Sequence, residues 1–344
     1  MENQNHQRRK RYSGKYPKTF DEKYKEKQPD KYQDLIEHVK MKGNTPAGMH
    51  RSIMVSEILD FLDIKPNQIG LDATLGFGGH SEAILEKMNH QGHLHATDVD
   101  PIELPKTTKR LRDLGYLEDV FTPHLINFRD LDQIDVEGFD FIIADLGVSS
   151  MQIDDPKRGF TYKFEGPLDL RMNPTLGIPA SERLKELTED EIIGVLIENA
   201  DETYAKEIAR EITNAKAYGF PIETTKDLHN IIIKALKNLP KSIQDESIKK
   251  ASQRTFQALR IDINHEYEAL FDLLEKIPTL LKPRGRVAIL TFHSGEDRLV
   301  KKAFQHYQRQ GIYLEVFGPD LPSKDEVLTN PRARSAKLRC AIKA

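Results

Sequence analysis

The chain has 344 residues and a single cysteine, Cys340. An intrachain disulfide and a thiolate metal cluster are therefore excluded, and a reducing, cytoplasmic setting is expected. Cys340 reads as a small apolar filler of a late strand rather than a reactive thiol. No apolar run approaches the roughly 20 residues that cross a bilayer, so no membrane association is expected. The opening "MENQNHQRRKRYSGKYP" lacks the apolar core of a signal peptide. No internal repeat is visible. No second His or Cys stands at ligand spacing from His293, which leaves no metal site in view.

What is present is charge, unevenly spread. The formal net charge is −3, yet residues 1 to 42 carry twelve Lys or Arg against seven Asp or Glu, an excess of five that leaves −8 for the rest. Tyr12, Tyr16, Phe20, Tyr24 and Tyr32 alternate with these cations. Such a composition can neutralise phosphates and stack on bases, and it equally suits a solvated tail. Residues 1 to 45 are therefore set apart as a basic N-terminal arm.

Past the turn-rich "NTPAG" the text becomes regular. Ile53, Met54, Ile58, Leu59 and Leu62 share one helical face that ends before Pro66 and Asn67. Short apolar runs follow at Ile69 to Leu75, Leu94 to Thr97, Val120 to Thr122, Phe139 to Leu146 and Arg286 to Phe292, alternating with helical segments. This punctuation predicts a parallel α/β sheet that binds ligands beyond the carboxyl ends of its strands. Between Gln152 and about Leu259 the strand signal vanishes, and capping boxes at Thr188/Glu191 and Thr224/Asp227 open helices. The expected division is an α/β domain, 46–151 with 260–344, interrupted by a helical insertion, 152–259. One long helix is expected from about Ser252 to Lys276, and "IYLEVF" with "KLRCAIKA" reads as a closing antiparallel pair.

The stretch "LDATLGFGGHSEAIL" joins a strand to a helix through Gly76, Gly78 and Gly79. Glycines there permit a sharp turn and close approach to a ligand. A dinucleotide fingerprint would want Gly or Ala at position 81, where Ser81 stands, which weakens an NAD reading. Asp72 at the strand suits S-adenosylmethionine better, whereas Asp98, 22 residues after Gly76, is placed to meet ribose hydroxyls that either nucleotide carries. In "FDFIIADLGVSSMQIDDPKRGFTYKFEGPLDLRMNP" a buried strand delivers Asp145 to the sheet edge, as a chemical group or as a helix cap.

Together "HRSIMVSEIL", "DATLGFGGHS", "DLGVSSMQIDDPKRGFTYKFEGPLDLRM", "RTFQALRIDIN", "GRVAILTFHSGEDRLVK" and "NPRARSAKLR" resemble the bacterial small-subunit ribosomal RNA cytosine-N4 methyltransferases. The resemblance spans roughly residues 50 to 344 and implies a Rossmann-like class I S-adenosylmethionine-dependent methyltransferase with an inserted all-helical domain. It implies cofactor contacts at Gly78, Gly79, His80, Asp98, Phe128, Asp145 and Gln152. Without it, Phe128 is equally readable as core. The implied reaction methylates the exocyclic amine of a decoding-region cytosine in 16S ribosomal RNA. The implied partner is that RNA or the small ribosomal subunit, and the sequence is compatible with a homodimer.

The amine lone pair is delocalised into the ring, so catalysis needs in-line alignment and an acceptor for the N–H groups. Asp145 is the first candidate catalytic residue, with Ser149 and Ser150 after it. The Asp-Pro-Pro-aromatic motif of other amino-methyltransferases is absent, and "DLGVSSM" stands in its place. Asp169, Arg171, Arg254, His293, Asp297 and Arg298 are candidate substrate contacts, each equally readable as a salt bridge or cap. The chain also departs from the family at Gly295 (usually leucine), Phe77 (usually small or polar), "KKAS" before "RTFQALR", and the basic arm. These departures leave open a paralogue acting on another RNA site, or a non-catalytic assembly factor on the same scaffold.

Overall fold

A computed structural model describes residues 52–344. The basic arm lies outside the described residues. The chain enters through Met54, whose backbone turns into the left-handed region (φ 55°) ahead of helix α1, Val55–Leu62. The apolar face expected there is buried at Ile58 and Leu62. The helix closes at Asp63, three residues before Pro66, because Asp63 itself takes a left-handed cap.

The body alternates as expected: β1 (Gln68–Asp72), α2 (Gly79–Met88), β2 (Gly92–Asp98), α3 (Glu103–Asp113), β3 (Phe121–Leu125) and β4 (Phe139–Asp145). Six helices follow: α4 (Ser150–Asp154), α5 (Ala180–Glu186), α6 (Glu189–Ala200), α7 (Ala205–Ala217), α8 (Thr225–Ala235) and α9 (Lys241–Asn264). Then come α10 (Glu266–Leu280), β5 (Leu281–Thr291), α11 (Ser294–Arg309), β6 (Tyr313–Asp320), α12 (Lys324–Thr329) and β7 (Lys337–Lys343).

The seven strands form one sheet in the order β3-β2-β1-β4-β5-β7-β6. The pairs through β5 are parallel, and β7 enters antiparallel between β5 and β6. The topology is that of a Rossmann-like α/β sheet, as the resemblance implies. Central strands are buried on both faces, as parallel sheets require. On β5, Ala288 and Leu290 join a core with Ile58, Ile84 and Leu111 on one side. Val287 and Ile289 join Leu273, Ile277 and Phe304 on the other. Cys340 is buried in β7, and burial pushes its thiol pKa up. The closing strands do pair antiparallel, but α12 and a 3₁₀ turn at Pro331–Ser335 separate them.

A third apolar cluster gathers residues between Phe160 and Leu259, among them Leu184, Leu196, Ile208, Ile232 and Phe256. Thr188 and Thr224 cap α6 and α8 with reciprocal bonds to Glu191 and Asp227. The single long helix expected from Ser252 to Lys276 is instead two. His265 adopts φ 50° and caps α9, and Arg260 spans the break with paired bonds of 2.7 and 2.8 Å to Glu266.

Candidate active site at the carboxyl edge of the sheet

Parallel pairing aligns the carboxyl ends of β1, β2 and β4, so Asp72, Asp98 and Asp145 arrive at one edge. Asp72 is buried; it accepts from Thr74 N at 3.0 Å and from Ser81 Oγ at 2.7 Å, and burial pushes its pKa up. Asp98 accepts from Gly76 N at 2.7 Å and Asp100 N at 2.8 Å. Burial raises its carboxyl to about 6, against the pull of those two N–H groups.

The glycine turn has a partly different reason from the one expected. Gly76 (φ 49°) and Gly78 (φ 79°) do need the left-handed region. A Cβ at Gly78 would stand 2.7 Å from Thr107 Cγ2, and one at Gly79 would overlap Ser52 Oγ. Close protein packing therefore excludes side chains at these two positions.

Asp145 ends β4 with its N–H donated to Thr74 Oγ1 at 2.6 Å. Its Oδ2 lies 3.4 Å from His80 Nδ1, while Oδ1 is buried with no hydrogen-bond partner. Burial raises Asp145 to about 6; His80 pulls it down, and Asp72 and Glu296 push it up. His80 is buried, with Nε2 at 2.9 Å from the Ile53 carbonyl.

Gln152 does two things: its Oε1 accepts from Ser149 N and its Nε2 donates to Asp100 Oδ2 at 2.7 Å. Phe128 opens a 3₁₀ turn three residues past β3 and packs, half-buried, on the α10 side of the core. The edge fits S-adenosylmethionine by its donor set. Asp98 and Asp145 offer carboxylates at this edge to a cationic sulfonium and ribose hydroxyls, Asp72 being buried under Thr74 and Ser81, and one buried oxygen of Asp145 is still unsatisfied.

The decisive comparison is with known families: residues 47–344 match the model of the MraW methylase family. This chain belongs to the MraW methylase family. It is 65% identical to the ribosomal RNA small subunit methyltransferase H 2 of Acholeplasma laidlawii, covering 100% of both chains. It is 58% identical to the methyltransferase H 1 of Agathobacter rectalis, over 100% of this chain and 99% of that one. The methyltransferase H of Koribacter versatilis is 40% identical over 86% of this chain and 94% of its own.

In this MraW-family chain the remaining candidates separate into two groups. Arg254, His293 and Arg298 line a 210 Å³ cavity at the seam between α6, α9 and the start of α11. It adjoins a 580 Å³ cavity lined by Arg129, Phe271 and Arg298 among others. His293 also caps α11, accepting from Glu296 N. The other candidates are engaged internally. Ser149 Oγ caps α4, and Asp169 holds Arg171 through both carboxylate oxygens, each at 2.8 Å. Asp297 pairs with Lys337 at 3.0 Å and Arg339 at 2.7 Å. Ser150 opens α4, and its side chain lies outside the described ones.

Asp100 and Arg158 did not emerge from the sequence. Both are buried, and Arg158 Nη1 donates to Asp100 Oδ2 at 2.7 Å while Nη2 donates to the carbonyls of Arg171 and Met172. This pair ties the end of β2 to the entry of the helical segment. The signals were "DVDP" and the Arg inside "DDPKRGF".

Proposed function

We propose that this MraW-family enzyme methylates the N4 amine of a cytosine in the decoding region of small-subunit ribosomal RNA. S-adenosylmethionine supplies an electrophilic methyl group. Gly78, Gly79, His80, Asp98, Phe128 and Gln152 are proposed to hold that cofactor, and Asp145 to serve both it and the substrate. The relatives' shared name supports the RNA class. The observation that carries the chemistry is the buried, unpartnered Oδ1 of Asp145.

A cytosine amine is a weak nucleophile, and an acceptor on its N–H biases the nitrogen lone pair toward the methyl carbon. Asp145 Oδ1 offers that acceptor at the strand edge. The insertion, 152–259, is proposed as the substrate-recognition part, because its Arg254 and the Arg298 of α11 line one cavity. Asp169, Arg171 and Asp297 support the loops around the site, their charges being already matched.

The test is transfer of labelled methyl to small ribosomal subunits from cells lacking this protein, with the labelled nucleotide mapped. Label on N4 of a decoding-region cytosine supports the proposal; label on another nucleotide overturns the assigned target. Asp145→Asn keeps the shape and removes the charge. Its single-turnover rate at saturating cofactor should fall by about 10²- to 10⁴-fold, the usual range for a lost general base. A rate within a few-fold of the native one would rule Asp145 out as acceptor.

A further inference from the structure

We propose that Arg158 is a positioning residue for the cofactor, acting through Asp100 to hold the Asp98 carboxylate in the orientation that meets the ribose hydroxyls. The inference rests on the reading of Asp98 as the ribose-binding acid and goes beyond it.

The turn after β2 is written in "DVDP". An aspartate side chain readily accepts the backbone N–H two residues on, and Asp98 Oδ1 takes that of Asp100 at 2.8 Å. Its Oδ2 takes Gly76 N at 2.7 Å. A carboxylate has about four lone-pair sites, so each oxygen keeps room for a hydroxyl donor. The directions left open are set by the two N–H groups, and that of Asp100 is only as fixed as Asp100 itself.

Asp100 is fully buried and held at both oxygens. Oδ1 caps the start of α3, accepting from Ile102 N at 2.9 Å and Glu103 N at 3.2 Å. Oδ2 accepts from Gln152 Nε2 and Arg158 Nη1, each at 2.7 Å. A buried carboxylate needs a countercharge, and Arg158, 7% exposed, supplies it. Arg158 is anchored in turn. Its Nη2 donates to the carbonyls of Arg171 at 3.1 Å and Met172 at 2.7 Å, and its own carbonyl accepts from Leu170 N at 3.2 Å. The rigid guanidinium fork thus grips an acid with one nitrogen and the 170–172 loop with the other.

Loss of the guanidinium would leave an uncompensated charge on Oδ2 in the interior. The Asp100 side chain would then turn toward water and give up its cap on α3. The N–H that orients Asp98 Oδ1 would shift with that turn, and the ribose contact would be lost while the rest of the cofactor contacts stayed in place.

Titration calorimetry on the full-length protein, with S-adenosylhomocysteine and its 2′-deoxy counterpart, tests this. Each protein is characterised by the ratio of the two dissociation constants. The native ratio should be about tenfold or more, the effect of one lost hydrogen bond to a charged group. Asp98→Asn should bring it well down, and Arg158→Gln should lower it to nearly the same value. An Arg158 that only packs the loop would weaken both ligands equally, so a native ratio in Arg158→Gln would overturn the proposal. Arg158→Met combined with Asp100→Asn leaves no buried charge unpaired, and so gives the answer should Arg158→Gln not fold. Its ratio should fall in the same way, and a native ratio there would equally overturn the proposal. If the native protein itself bound both ligands alike, the ribose reading of Asp98 would fail, a result distinct from a native ratio that survives the loss of Arg158.

Discussion

At the scale of single residues, the carboxyl edge sets function against stability. Asp98 is proposed to meet the cofactor ribose, and burial has raised it to about 6 from the usual value near 4. A carboxyl raised on folding binds its proton more tightly in the native state. Its contribution to stability is therefore present below about pH 4 and lost as pH rises through about 6. Asp98→Asn removes that titration. Urea unfolding of the cofactor-free protein at several pH values should show the native enzyme losing about 2–3 kcal/mol relative to the variant between pH 4 and pH 8. The variant should meanwhile bind S-adenosylmethionine more weakly at pH 8. Parallel stability curves across that range would contradict the assignment.

At the scale of elements, local chemistry was legible and distant pairing was not. Thr188 and Thr224 announced α6 and α8 because a capping box lies within four residues of sequence. Asp98 and Asp145 could be placed because a strand end fixes where its last side chain emerges. Arg158 pairs with Asp100 across 58 positions, and no local pattern encodes that distance. The break at His265 was hidden because no Gly or Pro marks it; a histidine in the left-handed region does the work of a glycine there. Gly295 is a related case. A Cβ at this position would overlap the Tyr267 hydroxyl, which donates to the Asn199 carbonyl at 3.0 Å. Here α10 and α11 share one space, filled by a tyrosine on the first and left empty on the second. Gly295→Ala should destabilise by about 1–3 kcal/mol, the cost of overpacking. Adding Tyr267→Leu should recover part of it, so the double variant loses less than the sum of the single ones by chemical denaturation. Additive losses would show that the two positions do not compete.

At the scale of the whole molecule, charge and chemistry divide along the chain. The family match begins at residue 47. The relatives at 58% and 65% identity align over 100% of this chain, whereas the Koribacter versatilis relative aligns over 86%. The arm is therefore outside what the family has in common, and the residues of the proposed acceptor site are inside it. Residues 1 to 42 carry an excess of five positive charges on a chain whose remainder is −8. Without the arm, RNA would meet a body of its own sign except at local patches such as Arg254 and Arg298. Each phosphate neutralised on a single strand contributes about 0.7 to the slope of log affinity against log salt. Deleting residues 1 to 42 should weaken binding to small-subunit RNA and reduce that slope by on the order of 3, as loss of about four phosphate contacts would. The single-turnover rate at saturating RNA and cofactor should stay within a few-fold of native, because no acceptor or cofactor candidate is removed. An unchanged salt slope would show that the cations of the arm do not touch phosphates, and a collapsed saturated rate would place part of the chemistry before residue 43.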